Sequence, residues 1–230
     1  LLEKLFAYEA VHEIKSWDDL KNRLAIDRRC FAYFHPRMPE EPLIFVWVAL
    51  SEGMAGNIQD LLDENAPVQD VENADTAIFY SISNAQAGLS GINFGNFLIK
   101  RVVDSLSKEL RGIRNFATLS PIPGFLHWLR RRLGEGGIDF LSNEHEDVLG
   151  SLVSGFSDMS PKKALEHLLF QTDWREKEDI KTALHPILLK LAAHYLVNEK
   201  RPSGTALDSV AHFHLNNGSR IEQLHWDADT

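Results

Sequence analysis

Apolar positions along this chain follow two rhythms, short dense runs and helical spacing, and the two alternate. Residues 1 to 25 read as one or two helices, with Leu2, Leu5 and Val11 on one stripe and Ser16 as the N-cap of SWDDLKNRL. The dense runs CFAYFHP and PLIFVWVAL then predict two strands, and the Pro-rich HPRMPEEP between them predicts an antiparallel hairpin with a long loop. A helix is expected from about Asn57 to Glu64, and TAIFYSIS alternates as a strand from Thr76 to Ser83. Phe94, Leu98, Ile99, Val102, Val103 and Leu106 recur at helical spacing until about Leu110. NFATLSPIPGF reads as a short strand broken at Pro121 and Pro123, with the helix FLHWLRRRL after Gly124. From Gly134 to about Lys200 the pattern is wholly helical, and HPILLKLAAHYLV forms its long apolar helix, as in an inserted helical lobe. The stretch VAHFHLNNGSRIEQLHWDAD alternates around Asn217-Gly218 and predicts a return to the sheet. The expected class is α+β, a mixed or antiparallel sheet flanked by helices.

Composition narrows the function classes. With 230 residues and 44% hydrophobic content the chain is globular, one core or one domain carrying an inserted subdomain. No run approaches the roughly 20 apolar residues of a membrane span, and LLEKLFAYEAVHEI is an amphipathic helix rather than a signal peptide, so no membrane association is expected. The net charge of −9 disfavours nucleic acid as a partner and obliges an anionic ligand to find a local basic site. The single cysteine, Cys30, excludes an internal disulfide and reads more readily as a small core residue than as a nucleophile. Both ends read as cuts in a longer protein.

Three candidate constellations remain. SISNAQAGLSGINFGNFLIK joins a strand to a helix through Gly88, Gly91 and Gly95, an arrangement that can gather backbone N–H groups around an anion. It is neither a Walker A loop nor G-x-G-x-x-G, and the pattern alone favours a plain turn. Ser120 stands where a strand breaks into PIPG, again a turn residue on local pattern, and no G-x-S-x-G elbow is present. Among ten histidines, most lie in helical patterns, leaving His212, His214, His225 and Asp227. On a strand, His212 and His214 would share a face and form half of a metal site.

The segments AIFYSISNAQAGLSGINFGNFLIKRVV, LSPIPGF and FHLNNG closely resemble the malonyl-CoA decarboxylase family, and the resemblance runs through essentially the whole chain. It implies an acetyltransferase-like (GNAT) fold in residues 26–230, with the helical stretch 134–200 as an insertion. Residues 1–25 are then linker helices from an all-helical N-terminal domain. It implies that the loop binds acyl-CoA through Ser90, Gly91, Ile92, Asn93, Phe94, Gly95 and Asn96, with Ser81 as a further candidate. Some family members carry an acidic residue at the position of Asn93. The resemblance assigns catalysis to Ser120 and His214 and places a site tyrosine beyond the last residue of this sequence. The implied partner is malonyl-CoA in fatty acid metabolism, converted to acetyl-CoA and carbon dioxide. No metal or organic cofactor is needed, because the thioester itself takes up the electrons left by the departing carboxylate.

In that chemistry protonated His214 is the expected proton donor to the α-carbon, and Ser120 binds the malonyl carboxylate or relays a proton to it. Lys100, Arg101, Arg114 and the run Arg130-Arg131-Arg132 are the cations available to coenzyme A phosphates. The family further implies a homo-oligomer, in the bacterial cytoplasm or, in a eukaryote, in mitochondria or peroxisomes. Two rival readings stay open: an N-acyltransferase on the same fold, and an acyl-CoA-binding module without catalysis.

Overall fold

The computed structural model describes residues 1–86, 88, 94–135, 141, 143–152, 160–171 and 173–229. The chain forms two compact units, Leu1–Pro121 with Asp227–Thr230, and Ile122–Trp226.

The first unit is built on a sheet of β1 (Arg28–His35), β2 (Met38–Ser51), β3 (Thr76–Asn84) and β4 (Asn115–Thr118), in that spatial order. The first three strands pair antiparallel and β4 joins β3 in parallel, so the sheet is mixed, as the α+β pattern requires. The run from Phe45 to Leu50 is wholly apolar because β2 is an interior strand covered on both faces, and each of these side chains is 0% exposed. On one face Val46, Val48, Leu50 and Phe79 meet Leu98, Val102 and Leu106, a stripe at four-residue spacing on α4 (Phe94–Glu109). On the other, Phe45, Trp47, Ile78 and Tyr80 are covered by the N-terminal segments. These supply Leu5 from α1 (Leu2–Tyr8), Ile14, Leu20 from α2 (Trp17–Asn22), and Ile58 and Leu61 from α3 (Ile58–Leu62). Residues 1–25 thus belong to the core of this unit.

Local chemistry fixes the helix starts. The Ser16 hydroxyl caps α2 by accepting from Asp19 N at 2.9 Å, and Asn57 Oδ1 caps α3 by accepting from Gln59 N at 2.7 Å. The long hairpin loop expected from the prolines is absent. Pro36 and Arg37 alone turn the chain, and Pro39 to Glu41 are absorbed in an irregular register between His35–Met38 and Phe34–Pro42. Such irregularities are where a strand tolerates residues without an N–H.

The second unit packs α5 (Phe125–Gly134), α6 (Asn143–Leu152), α7 (Pro161–Gln171), α8 (Glu178–Asn198) and α9 (Ser209–Asn216), with a 3-10 turn at Trp174–Glu176. Trp128, Leu129, Leu149, Leu165, Leu184 and Leu191 centre its core. The return to the sheet expected over residues 210–229 is corrected here, because 209–216 form α9. Asp208 Oδ1 accepts from Val210 N at 2.9 Å and Ala211 N at 3.0 Å, an N-cap that overrides the apparent alternation of VAHFHL. Among the described residues no strand follows α9. Asp227 to Asp229 instead lie along α3 of the first unit, with Ala228 O accepting from Ile58 N at 2.8 Å and Asp227 O accepting from Asn57 Nδ2 at 3.3 Å.

Candidate functional site

The sheet of the first unit opens beside Ser81 and Ser120. The parallel ladder between β3 and β4 runs from Thr76–Asn115 to Phe79–Thr118, and Leu119 N–H still donates to Phe79 O at 3.1 Å. β3 continues five residues further, to Asn84, while β4 turns away into the prolines. Ser120, half-buried, is therefore set at the point of divergence. At the same level β3 carries a bulge: Trp47 pairs with Ser81 and Val48 with Phe79, leaving Tyr80 as the extra residue.

The bulge decides where Ser81 points. Its hydroxyl donates to Glu9 Oε1 at 2.6 Å, and the same carboxylate accepts from Val11 N (2.9 Å), His12 N (3.0 Å), Trp47 Nε1 (2.8 Å) and Ser83 Oγ (3.2 Å). Ser81 is thus drawn to the face that carries Trp47, opposite the face on which α4 packs.

Beyond β3 the glycine-rich loop leads into α4. Of the expected acyl-CoA contacts, Ser90, Gly91, Ile92 and Asn93 lie outside the described residues. Phe94, Gly95 and Asn96 form the first turn of α4, with Gly95 buried. A first helical turn has backbone N–H groups without intrahelical acceptors, the feature that suits such a turn to an anion. Arg101 stands further along α4 with its guanidinium over Phe97, 5.3 Å from the ring centroid. Lys100 and Arg114 are exposed in the same unit. In the second unit Arg131 is exposed, whereas Arg130 covers the Phe170 ring at 4.4 Å and Arg132 pairs with Glu199 at 3.6 Å.

His214 belongs to the second unit, in the last turn of α9. Burial alone holds its imidazole below the ordinary histidine pKa. α9 contributes no fully buried residue, and the buried carboxylate of Asp208, 1% exposed, caps it. The other oxygen of that carboxylate, Oδ2, accepts from Gly124 N at 3.1 Å and from the Tyr195 hydroxyl at 3.4 Å. Burial first, and the neighbouring Asp208 charge second, push the Tyr195 phenol up to about 12. Gly124 packs so closely on this pair that a Cβ would overlap the Tyr195 oxygen.

The structure bears on two other candidate groups. His212 and His214 cannot pair as metal ligands in the manner of a strand, since residues two apart on a helix diverge by about 200°. No group of three or more potential metal ligands occurs among the described residues. Cys30 lies in β1, where burial pushes its thiol up to about 12, so its thiolate, the nucleophilic form, is scarce at neutral pH.

The family model for the malonyl-CoA decarboxylase C-terminal domain matches residues 1–230. The chain belongs to this family. Malonyl-CoA decarboxylases named as mitochondrial from Anser anser anser and Mus musculus are 41% and 40% identical over all of the chain, which spans 46% and 47% of their lengths. The crystal structure of the malonyl-CoA decarboxylase from Agrobacterium vitis superposes with a TM-score of 0.83 at 45% identity, covering 96% of this chain and 51% of that one. The enzyme from Cupriavidus metallidurans gives 0.70 at 46% identity, covering 99% and 52%. The chain thus spans about half the length of these relatives. Its architecture is GNAT-like, as the motifs implied.

Within the malonyl-CoA decarboxylase domain, the sequence had offered Ser120 and His214 but not the groups around them. Asp208 carries a readable signal, an aspartate directly before a helical SVAHFHL segment, which the alternation of the same residues masked. Tyr195 and Glu9 sit in ordinary helical patterns and carry no local signal at all.

Proposed function

We propose that the chain is the catalytic half of an enzyme that converts malonyl-CoA to acetyl-CoA and carbon dioxide. The observation that carries this reading is the family match across residues 1–230, which includes the serine of SPIPGF and the histidine of FHLNNG. In this reading the coenzyme A pyrophosphate rests on residues 90–96, against the first turn of α4, and Arg101 or Lys100 meets a phosphate. The pantetheine arm runs along the part of β3 that extends past its pairing with β4, a stretch of backbone suited to amide hydrogen bonds. Ser81 contributes through the backbone there, its hydroxyl being held by Glu9.

The reaction breaks the bond between the α-carbon and the carboxylate. Its electron pair moves into the thioester carbonyl to give an enolate, carbon dioxide leaves, and the α-carbon then takes a proton. Ser120 hydrogen-bonds the malonyl carboxylate, and His214 delivers the proton. With its pKa depressed by burial, His214 is mostly neutral in the empty protein at neutral pH. The negative charge of the bound substrate raises that pKa, so binding itself loads the donor. The full enzyme is proposed to act as a homo-oligomer in a bacterial cytoplasm.

Full-length protein incubated with malonyl-CoA and no acceptor is expected to release acetyl-CoA and carbon dioxide in equal amounts. Ser120→Ala and His214→Ala should each lower kcat by about 10²- to 10⁴-fold. Turnover that begins only when an amine is added would instead identify an N-acyltransferase, and saturable binding without product a binding module. Wild-type rates in both variants would remove the site assignment.

A further inference from the structure

We propose that Asp208 is a positioning residue for His214, one carboxylate tying the start of α9, the helix that carries His214, to Gly124 at the start of α5 and to Tyr195 of α8. The inference rests on the decarboxylase reading above.

Asp208 has two oxygens with separate duties. Oδ1 takes the N–H groups of Val210 and Ala211 and so holds the start of α9. Oδ2 takes the N–H of Gly124 and the hydroxyl of Tyr195. Four donors on one 1%-exposed carboxylate leave it little freedom to move. α9 is eight residues long and buries none of them fully, so the cap at its start carries weight in its placement. His214 is six residues beyond Asp208, and a displaced cap carries the imidazole with it. Tyr195, from α8, supports the oxygen that faces Gly124, and the absence of a side chain at Gly124 lets the hydroxyl approach.

A plain helix cap would account for Oδ1 but not for Oδ2, and the two duties separate experimentally. In the full-length enzyme, Asp208→Ser keeps an N-cap oxygen for α9 but is too short to reach Gly124 and Tyr195. Its kcat for malonyl-CoA is expected to fall by about 10- to 100-fold with KM nearly unchanged and circular dichroism like that of the parent. Asp208→Asn keeps an oxygen for the cap but turns an amide NH2, a donor, towards the Gly124 N–H, so it should be slowed to a similar degree. Wild-type kcat in either variant, or a loss that appears in KM rather than in kcat, overturns the inference. A parent enzyme that releases no carbon dioxide from malonyl-CoA overturns the decarboxylase reading instead.

Discussion

At Gly124 the structure has room for a hydrogen atom and little else. Its backbone, φ −84° and ψ −13°, is one that any residue adopts, so the obstacle to a side chain is steric rather than conformational. A Cβ would overlap the Tyr195 hydroxyl and come within 3.2 Å of Asp208 Oδ2. Gly124→Ala is therefore expected to destabilise the protein by about 1 to 3 kcal/mol, the usual range for overpacking. Tyr195→Phe removes the offending oxygen, so the double variant should lose less than the sum of the two single losses. Urea unfolding midpoints of the four proteins measure this, and strictly additive losses would contradict the geometry.

Elements are held by a few polar side chains as much as by apolar area, and Glu9 shows how. Placed just after α1, it accepts from both strands of the sheet interior, through Trp47 of β2 and through Ser81 and Ser83 of β3, besides two backbone N–H groups. The bulge at Tyr80 is what aligns Ser81 with Trp47. Glu9→Ala leaves a 0%-exposed indole N–H and two buried hydroxyls without this acceptor. It should cost about 3 kcal/mol in denaturant unfolding, and Glu9→Gln clearly less. A loss below about 1 kcal/mol in the alanine variant would mean that other groups satisfy these donors. The strand and helix pattern of the first unit was legible because burial there writes a clear rhythm, dense in β2 and four-residue in α4. α9 was not, because VAHFHL reads equally as alternation and as a helix too small to show its period. The deciding contact, Asp208 with Val210 N and Ala211 N, is a matter of backbone geometry. For the site, Ser120 and His214 stood out only through their motifs, and Glu9, Tyr195 and Asp208 gained meaning only from long-range partners.

Over the whole molecule, burial makes at least two imidazoles among the described residues sensitive to acidification. Burial depresses His12 as well as His214, although Asp229 and Glu9 partly offset it at His12. Each binds a proton less readily folded than unfolded. Below the unfolded value of about 6.5 the unfolded state therefore takes up more protons, and stability falls as pH drops; above it this penalty vanishes. The thermal midpoint should accordingly decline between about pH 7.5 and pH 5.5. His12→Gln should shallow that decline, and an unchanged slope in this variant would exonerate His12.

The residues from Asp227 to Asp229 return to α3 after the whole of Ile122–Trp226 has intervened. Closing a loose loop of such length costs on the order of 4 kcal/mol in chain entropy. Once the intervening helices have condensed, the distance to be closed is that between two fixed ends of a folded body rather than of a random coil. An assembly in which the strands and the helical unit form first and the seam along α3 closes last avoids most of that cost.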